Sequence, residues 1–226
     1  MNEHHGGLGA AAAGLRVGRG GARGGAEAGE GHDAGESGQA QQDRLLRTAS
    51  RLFYAYGLHT VGVDRLVSEA GVTRATFYRH FPSKEDLIVA YLRGRSEEIR
   101  NGVAQVVADS RGREALLRIV HVLGEDGCSS GFRGCPFLNA AAEYPDPAHP
   151  VRVAVADHHA WFFQVLRDRA VEAGHADPDH TARVLVLLRD GALQGGALGD
   201  PQQARATLRR AAEELLTAAE RSSRSE

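Results

Sequence analysis

Apolar residues recur at the spacing of an amphipathic helix from about residue 43 to the end of the chain, which predicts an all-α protein. In the first predicted helix, over residues 43–57, the apolar face consists of Leu45, Ala49, Leu52, Phe53 and Tyr56. Glycine and proline interrupt the pattern where one helix should end and the next begin. In the second half of the chain these breaks fall at residues 127–136, 144–150, 174–178 and 199–201.

Two short helices are predicted on either side of Gly71, over residues 63–70 and 74–81. Glycine permits the positive φ that such a turn needs, and Thr73 is a good N-cap for the second helix. That helix is rich in Thr, Tyr, Arg and His, which supply hydroxyls and cations to phosphates and side chains long enough to reach base edges. The spacing therefore favours a helix-turn-helix that reads the DNA major groove, with an ordinary helical hairpin as the alternative.

The segment from Arg44 to Tyr91 resembles the TetR family of bacterial transcriptional regulators. The resemblance is densest in the run Val72-Thr73-Arg74-Ala75-Thr76-Phe77-Tyr78-Arg79-His80-Phe81-Pro82-Ser83-Lys84-Glu85-Asp86-Leu87. It implies an all-α homodimer, with an N-terminal three-helix helix-turn-helix DNA-binding domain and a C-terminal helical domain for ligand binding and dimerisation. Members of this family mostly repress transcription, and they release a palindromic operator when a small molecule binds.

The resemblance also implies which residues face DNA. Lys84, at the start of the fourth helix, matches the family's phosphate-contacting lysine, whereas Phe77 and Phe81 match core positions. Gly62 departs from the pattern, because many relatives have Ser or Thr there, and glycine is a weaker cap. The expected DNA-binding residues are Thr73, Arg74, Thr76, Tyr78, Arg79, His80 and Lys84.

Composition and charge divide the chain into three parts. Residues 1–40 contain 13 of the 28 glycines and no aromatic residue, which predicts a disordered Gly/Ala-rich tail. Residues 43–95 hold nine Lys or Arg against five Asp or Glu, whereas residues 96–226 hold 15 against 19. This asymmetry is expected when only one part meets a polyanion. We therefore expect a DNA-binding domain over residues 41–92 and a ligand-binding and dimerisation domain over residues 93–226.

The acidic part contains candidate residues for a ligand pocket and for a dimer interface. An aromatic stripe at helical spacing is usually core, but the resemblance favours an apolar cavity with a few polar groups. Its expected lining is Phe132, Phe137, Tyr144, His158, Trp161, Phe162 and Val165. The last two predicted helices, over residues 181–198 and 201–221, offer a stripe for a second copy of the chain. Its expected members are Val184, Leu188, Gly191, Gly195, Leu208, Ala212 and Leu215.

The remaining functional classes have weaker support in the sequence. A redox switch between Cys128 and Cys135 is an alternative sensing mechanism, because the six residues between them would allow a disulfide. We expect no metal site, no cofactor and no enzymatic activity, since the sequence lacks the usual ligand spacings and catalytic motifs. A regulator that has lost DNA binding and acts only through protein partners is a further alternative. We expect a cytoplasmic protein with no membrane span and no secretory signal, because the weak apolar run at residues 8–15 follows His4 and His5 rather than Lys or Arg.

Overall fold

The computed structural model describes residues 37–126 and 131–223, and all regular secondary structure within those ranges is helical. The prediction of an all-α fold is therefore confirmed. The helices are α1 (Gly38–Tyr56), α2 (Val63–Ala70), α3 (Arg74–His80), α4 (Lys84–Val107), α5 (Gly112–Asp126), α6 (Pro136–Glu143), α7 (Pro150–Glu172), α8 (Pro178–Leu198) and α9 (Pro201–Ser223).

Helix α1 begins five residues before the predicted start at residue 43. Ser37 is its N-cap, and the Ser37 hydroxyl accepts a hydrogen bond from the backbone N–H of Ala40 at 3.3 Å. Gln39 adds a side-chain bond to Asp43 one turn later, at 2.9 Å. The predicted disordered tail over residues 1–40 therefore extends too far, because its last residues form the capped first turn of α1. Residues 1–36 lie outside the described part of the chain.

Two other helix ends differ from the prediction for local reasons. Helix α3 ends at His80 rather than residue 81, because Phe81 precedes Pro82 and has the extended backbone that proline imposes on its predecessor, with φ −133°. Helix α8 begins at Pro178 rather than residue 181, because proline suits the first turn of a helix. The Asp177 carboxylate caps that turn and accepts a hydrogen bond from the backbone N–H of His180 at 2.8 Å.

The chain forms two compact units that divide after Tyr91, within α4. In the smaller unit, α1 contacts both α2 and α3, and those two helices contact each other. Their apolar faces enclose a core in which Phe53 packs on Tyr91 with the ring centroids 5.8 Å apart. Fully burying each large apolar side chain contributes roughly 1.5–3 kcal/mol, so this core holds the short helices in place. The core also includes Leu45, Leu52, Leu66, Phe77, Leu87 and Ile88.

The larger unit is a helical bundle. Helix α7 contacts α5, α6 and α8, and α9 packs against both α5 and α8. The buried apolar residues of α5, among them Leu116 and Ile119, lie at this junction. No helix among the described residues is long and apolar enough to cross a membrane.

Candidate functional site

The turn between α2 and α3 has the geometry that a helix-turn-helix requires. Gly71 ends α2 in the left-handed conformation, with φ 62° and ψ 41°, which a residue with a Cβ adopts only at a cost. The backbone N–H of Val72 then donates to the carbonyl of Val67 at 3.1 Å, which closes the end of α2. Thr73 starts α3 immediately afterwards, and its hydroxyl accepts a hydrogen bond from the backbone N–H of Thr76 at 3.1 Å. The two helices are therefore fixed by one glycine and one threonine cap.

Helix α3 presents most of the predicted DNA-binding side chains at the surface. Thr73, Arg74 and Arg79 are exposed, and Tyr78 is 51% exposed. The Tyr78 ring meets that of Phe77 edge to face, with the centroids 5.1 Å apart, so the exposed phenol rests on a buried anchor. His80 and Lys84 are partly exposed. Phe77 and Phe81 are buried, as predicted for core positions.

Thr76 is the exception among these predicted contacts. It is only 2% exposed, and its hydroxyl lies 3.0 Å from that of Thr73. A threonine side chain that is buried against its own helix cap does not reach a groove. We therefore correct the prediction: Thr76 stabilises the start of α3 and does not belong to its exposed face.

The two arginines of α3 are held by partners from other helices. Arg74 forms an ion pair with Asp64 of α2. Arg79 donates to the side-chain oxygen of Gln41 at 2.6 Å, and Gln41 is only 3% exposed. Because Gln41 precedes Leu45 by one helical turn, it continues the buried face of α1 with a polar residue. A polar residue at that position indicates that a partner is needed, and this signal is present in the sequence although our prediction missed it.

Lys84 lies at the first residue of α4. Its ammonium donates to the backbone carbonyl of His59, in the connection between α1 and α2, at 3.3 Å. The contact holds a cation beside the N-terminal turn of α4, whose amide groups themselves favour an anion. This arrangement suits a phosphate contact.

In the larger unit, several of the predicted pocket residues form one aromatic cluster. Phe137 of α6 stacks on His158 of α7, with the ring centroids 3.6 Å apart and the planes 3° from parallel. Trp161 lies 5.5 Å from His158, and Phe162 lies 6.0 Å from Trp161, measured between ring centroids. Tyr144 instead packs on His149, with the centroids 4.6 Å apart. The structure thus brings together four of the seven predicted residues, and these four rings pack directly on one another.

His158 is 1% exposed and takes part in a short polar chain. Its Nδ1 lies 3.0 Å from the hydroxyl of Ser96, and that hydroxyl accepts a hydrogen bond from Nε of Arg100 at 3.2 Å. Burial, followed by the charge of Arg189, lowers the pKa of His158 from 6.5 to about 3. The imidazole is therefore neutral at pH 7.

Arg189 of α8 is a buried cation that the sequence prediction missed. It is 4% exposed, its Nη1 donates to Asp190 at 2.7 Å, and its Nη2 lies 3.6 Å from the sulfur of Cys135. Its guanidinium carbon lies 5.0 Å from the centre of the Phe162 ring. Leu185 and Leu193 precede and follow it by one helical turn and are both buried, so spacing alone places an arginine on the core face of α8.

The predicted dimer residues separate into two groups. Leu208 and Ala212 of α9 are 3% and 0% exposed within a single chain. They fill the core where α9 meets α5 and α8, which corrects their assignment to a dimer interface. By contrast, Gly191 and Gly195 are exposed, and a Cβ built at either position would have no atom within 4 Å. Three further predicted residues are partly exposed, namely Val184, Leu188 and Leu215.

Of the two cysteines of the proposed redox pair, the structure describes Cys135. Cys135 is a free thiol, 2% exposed, at the N-cap of α6. Cys128 lies outside the described residues. The described residues contain no group of three or more His, Cys, Asp or Glu that could hold a metal ion.

The smaller unit joins α2 to the exposed, basic helix α3 through a glycine turn. This arrangement defines a helix-turn-helix DNA-binding protein. The family model for bacterial regulatory proteins of the tetR family matches residues 45–91. The transcriptional activator FasR of Mycolicibacterium smegmatis is 31% identical over 153 residues, which span 65% of this chain and 66% of that protein.

Two solved structures agree with this match across both units. SCO4454, a TetR-family transcriptional regulator from Streptomyces coelicolor, is 43% identical with a TM-score of 0.78, covering 80% of this chain and 96% of that one. The regulator sav143 from Streptomyces avermitilis is 32% identical with a TM-score of 0.66, covering 76% of this chain and 98% of that one. The chain belongs to the TetR family of bacterial transcriptional regulators.

Proposed function

We propose that this regulator is a homodimeric repressor that binds a palindromic operator through α3 and is released from it by a small molecule. The observation that carries the DNA-binding part is the exposed face of α3, where Arg74, Tyr78 and Arg79 surround a buried Phe77. Lys84 supplies a further cation at the start of the next helix. Such a surface combines phosphate contacts with side chains that reach base edges.

The exposed face of α8 supports dimerisation with a second copy of the chain. Leu187 and Leu198 are 71% and 89% exposed, and Gly191 and Gly195 lie between them at helical spacing. Because no atom lies within 4 Å of a Cβ built at either glycine, another helix can approach closely there. Burying the exposed leucines in such a contact would lower the free energy of the dimer. A dimer also presents two recognition helices to half-sites separated by one turn of DNA, about 34–36 Å.

The proposed interface is tested with Leu187→Asp, which places a carboxylate on this face. We expect sedimentation to show a dimer for the wild-type protein and a dimer that dissociates at least about tenfold more readily for Leu187→Asp, because an unpaired charge is costly to bury. Val171→Asp is the matched control, because Val171 is another exposed apolar residue, on α7, at 52% exposure. A wild-type monomer at all concentrations, or equal behaviour of the two variants, would overturn this interface.

Sequence-specific DNA binding is tested by selecting sequences from a random DNA duplex pool at fixed salt. We expect a palindrome bound with a steep salt dependence, because phosphate contacts release counterions. A reporter gene placed behind that sequence then separates repression from activation, a distinction that matters because the relative FasR is named an activator. If no sequence is enriched, the hypothesis that this chain binds a specific operator is refuted. A regulator that acts only through protein partners then becomes the better hypothesis.

Redox control through Cys128 and Cys135 is the second candidate mechanism. It is supported by one contact, since Nη2 of Arg189 lies 3.6 Å from the Cys135 sulfur and a cation therefore borders this thiol. The deep burial of Cys135 opposes rapid oxidation. A Cys135→Ser variant that still responds to an organic effector but no longer responds to peroxide would support control by both routes, whereas an unchanged peroxide response would exclude the redox mechanism.

A further inference from the structure

The interior of the larger unit contains hydrogen-bond donors that the described residues leave unused. The Nε atom of Arg189 and the Nε2 atom of His158 are both buried and have no hydrogen-bond partner among those residues. Buried polar groups in folded proteins are nearly always paired, so two unpaired nitrogens that border the same aromatic cluster, Arg189 over Phe162 and His158 on Phe137, need an explanation. A bound acceptor supplies one.

One arrangement of the hydrogen bonds around His158 places its proton on Nε2. The Ser96 hydroxyl accepts from Arg100 Nε and has its own hydrogen left to donate to His158 Nδ1. A neutral imidazole that accepts at Nδ1 carries its hydrogen on Nε2. In this tautomer the unused nitrogen of His158 is a donor, like the unused nitrogen of Arg189.

Arg189 is paired with one carboxylate, but its guanidinium is not fully hydrogen-bonded. Its Nη1 bonds to Asp190, but that carboxylate also faces His159, whose Nδ1 lies 3.9 Å from it. Its Nη2 meets the sulfur of Cys135, which is a weak acceptor. The charges of Arg189, Arg100 and Arg95 all act to lower the pKa of His158, so the surroundings of this ring are cationic. Arg152 has the same effect on His159.

We propose that Arg189 and His158 bind the carboxylate of an organic acid, whose apolar body packs among Phe137, Trp161 and Phe162. An anion would accept from both unused donors in cationic surroundings, while the rings cover the apolar part. This inference rests on the proposed function, because it names the chemical class of the small molecule that releases the operator. It goes beyond the predicted pocket in making Arg189 the residue that selects for charge.

The single tryptophan of the chain provides a local readout. Trp161 lies 5.5 Å from the His158 ring, and the full sequence contains no other tryptophan. The probes are benzoate, phenylacetate and hexanoate, each compared with its neutral amide, with Trp161 emission followed during titration of the full chain. We expect saturable changes with at least one acid and at least tenfold weaker binding of the matching amide, because a charge-assisted pair of hydrogen bonds is lost.

Two variants test the roles of the individual residues. Arg189→Met keeps much of the side-chain volume and should weaken acid binding at least tenfold while leaving the weak amide binding unchanged. His158→Phe keeps the stack on Phe137, removes the second donor and should weaken acid binding about fivefold. Arg183→Met is the control on the same helix, since Arg183 is exposed and lies over Phe163. Circular dichroism establishes that each variant is helical, and if Arg189→Met does not fold, His158→Phe decides the result.

Three outcomes would overturn the proposed carboxylate site: no saturable change with any of the three acids, equal affinity for acid and amide, or full acid binding by His158→Phe and a folded Arg189→Met. Operator binding is measured separately on the same samples. A protein that binds its operator but no acid refutes this site and leaves the regulator intact. A protein that binds acid without releasing DNA retains the site and refutes release by ligand.

Discussion

In the smaller unit, the arginines of the recognition helix lie at the surface and are steered by partners, Arg74 by Asp64 and Arg79 by Gln41. In the larger unit, Arg189 lies in the interior, between a thiol, an aromatic ring and one shared carboxylate. A surface cation costs little to keep and is available to a polyanion. A buried cation is costly to desolvate, so a protein retains one where its charge has a use or where its hydrogen bonds are complete.

Under the proposed function, the two units recognise their partners by different physics. The smaller unit uses many exposed contacts of modest strength, whose sum depends on salt. The larger unit concentrates a few donors in an apolar setting, where each hydrogen bond is stronger and each unpaired group is more costly. We therefore expect substitutions in the smaller unit to alter DNA affinity with little effect on folding, and substitutions in the larger unit to alter folding and its pH dependence.

The largest expected effect is on DNA affinity. The double substitution Lys84→Ala and Tyr78→Ala removes one cation and one exposed phenol from the proposed groove-facing surface. We expect operator affinity to fall about 100-fold and the salt slope to become shallower, since each lost contact costs about 1–3 kcal/mol. Fluorescence anisotropy with the selected operator at several salt concentrations measures both quantities.

Arg210→Ala is the control for that measurement, because Arg210 is an exposed cation of the larger unit that pairs with Glu214 at 2.8 Å. It lowers the net charge equally, so a comparable loss of DNA affinity in this variant would show that total charge, and not the α3 surface, determines binding.

The next largest expected effect is on the pH dependence of folding stability, through the buried His158. The folded-state pKa of His158 is about 3, below its ordinary value of 6.5, so the unfolded chain binds a proton that the folded chain does not bind between these values. The resulting stability is present above pH 6.5 and is lost as the pH falls toward 3. Between pH 7 and pH 5 the loss should be about 2 kcal/mol from this residue alone.

His158→Phe should remove that part of the pH dependence, and urea unfolding at pH 7 and pH 5 measures it. His180→Phe makes the same substitution at an exposed position and should leave the pH dependence of wild type unchanged. Equal slopes for all three proteins would contradict a buried neutral His158.

The sequence predicted the structure well where a periodic pattern was compatible with only one helix and one buried face. The second helix was predicted at its observed bounds, Val63–Ala70, because a glycine stop and a short apolar face leave few alternatives. The exposed residues of α3 followed from the resemblance and from helical periodicity. Thr76 was misplaced because a threonine three residues after a threonine cap can turn inward, and residue type alone does not show this.

In the larger unit the periodic pattern was ambiguous, because a helix in a bundle has two or three covered faces. The stripe assigned to a partner chain included Leu208 and Ala212, which α5 and α8 already cover within one chain. Leu187, an exposed leucine of α8, lies beside that stripe and was missed. Arg189 was also missed, although its spacing from Leu185 and Leu193 identifies a charged residue on a buried face.

The smallest expected effect concerns the orientation of Arg79 on the exposed face of α3. Gln41→Ala removes the amide oxygen that accepts from Arg79 at 2.6 Å, so the guanidinium loses one defined orientation on the exposed face of α3. We expect operator affinity to fall about fivefold, which is close to 1 kcal/mol, since ordering a long side chain on binding then costs more entropy. The loss should be concentrated at the base pairs that Arg79 approaches, with a nearly unchanged salt slope, because no phosphate contact is removed. Gln42→Ala, the same substitution one position along α1, is the matched control and should bind like wild type. A Gln41→Ala protein with wild-type affinity for every operator variant would show that Arg79 needs no positioning, and the distinction between the two units would then rest on exposure alone.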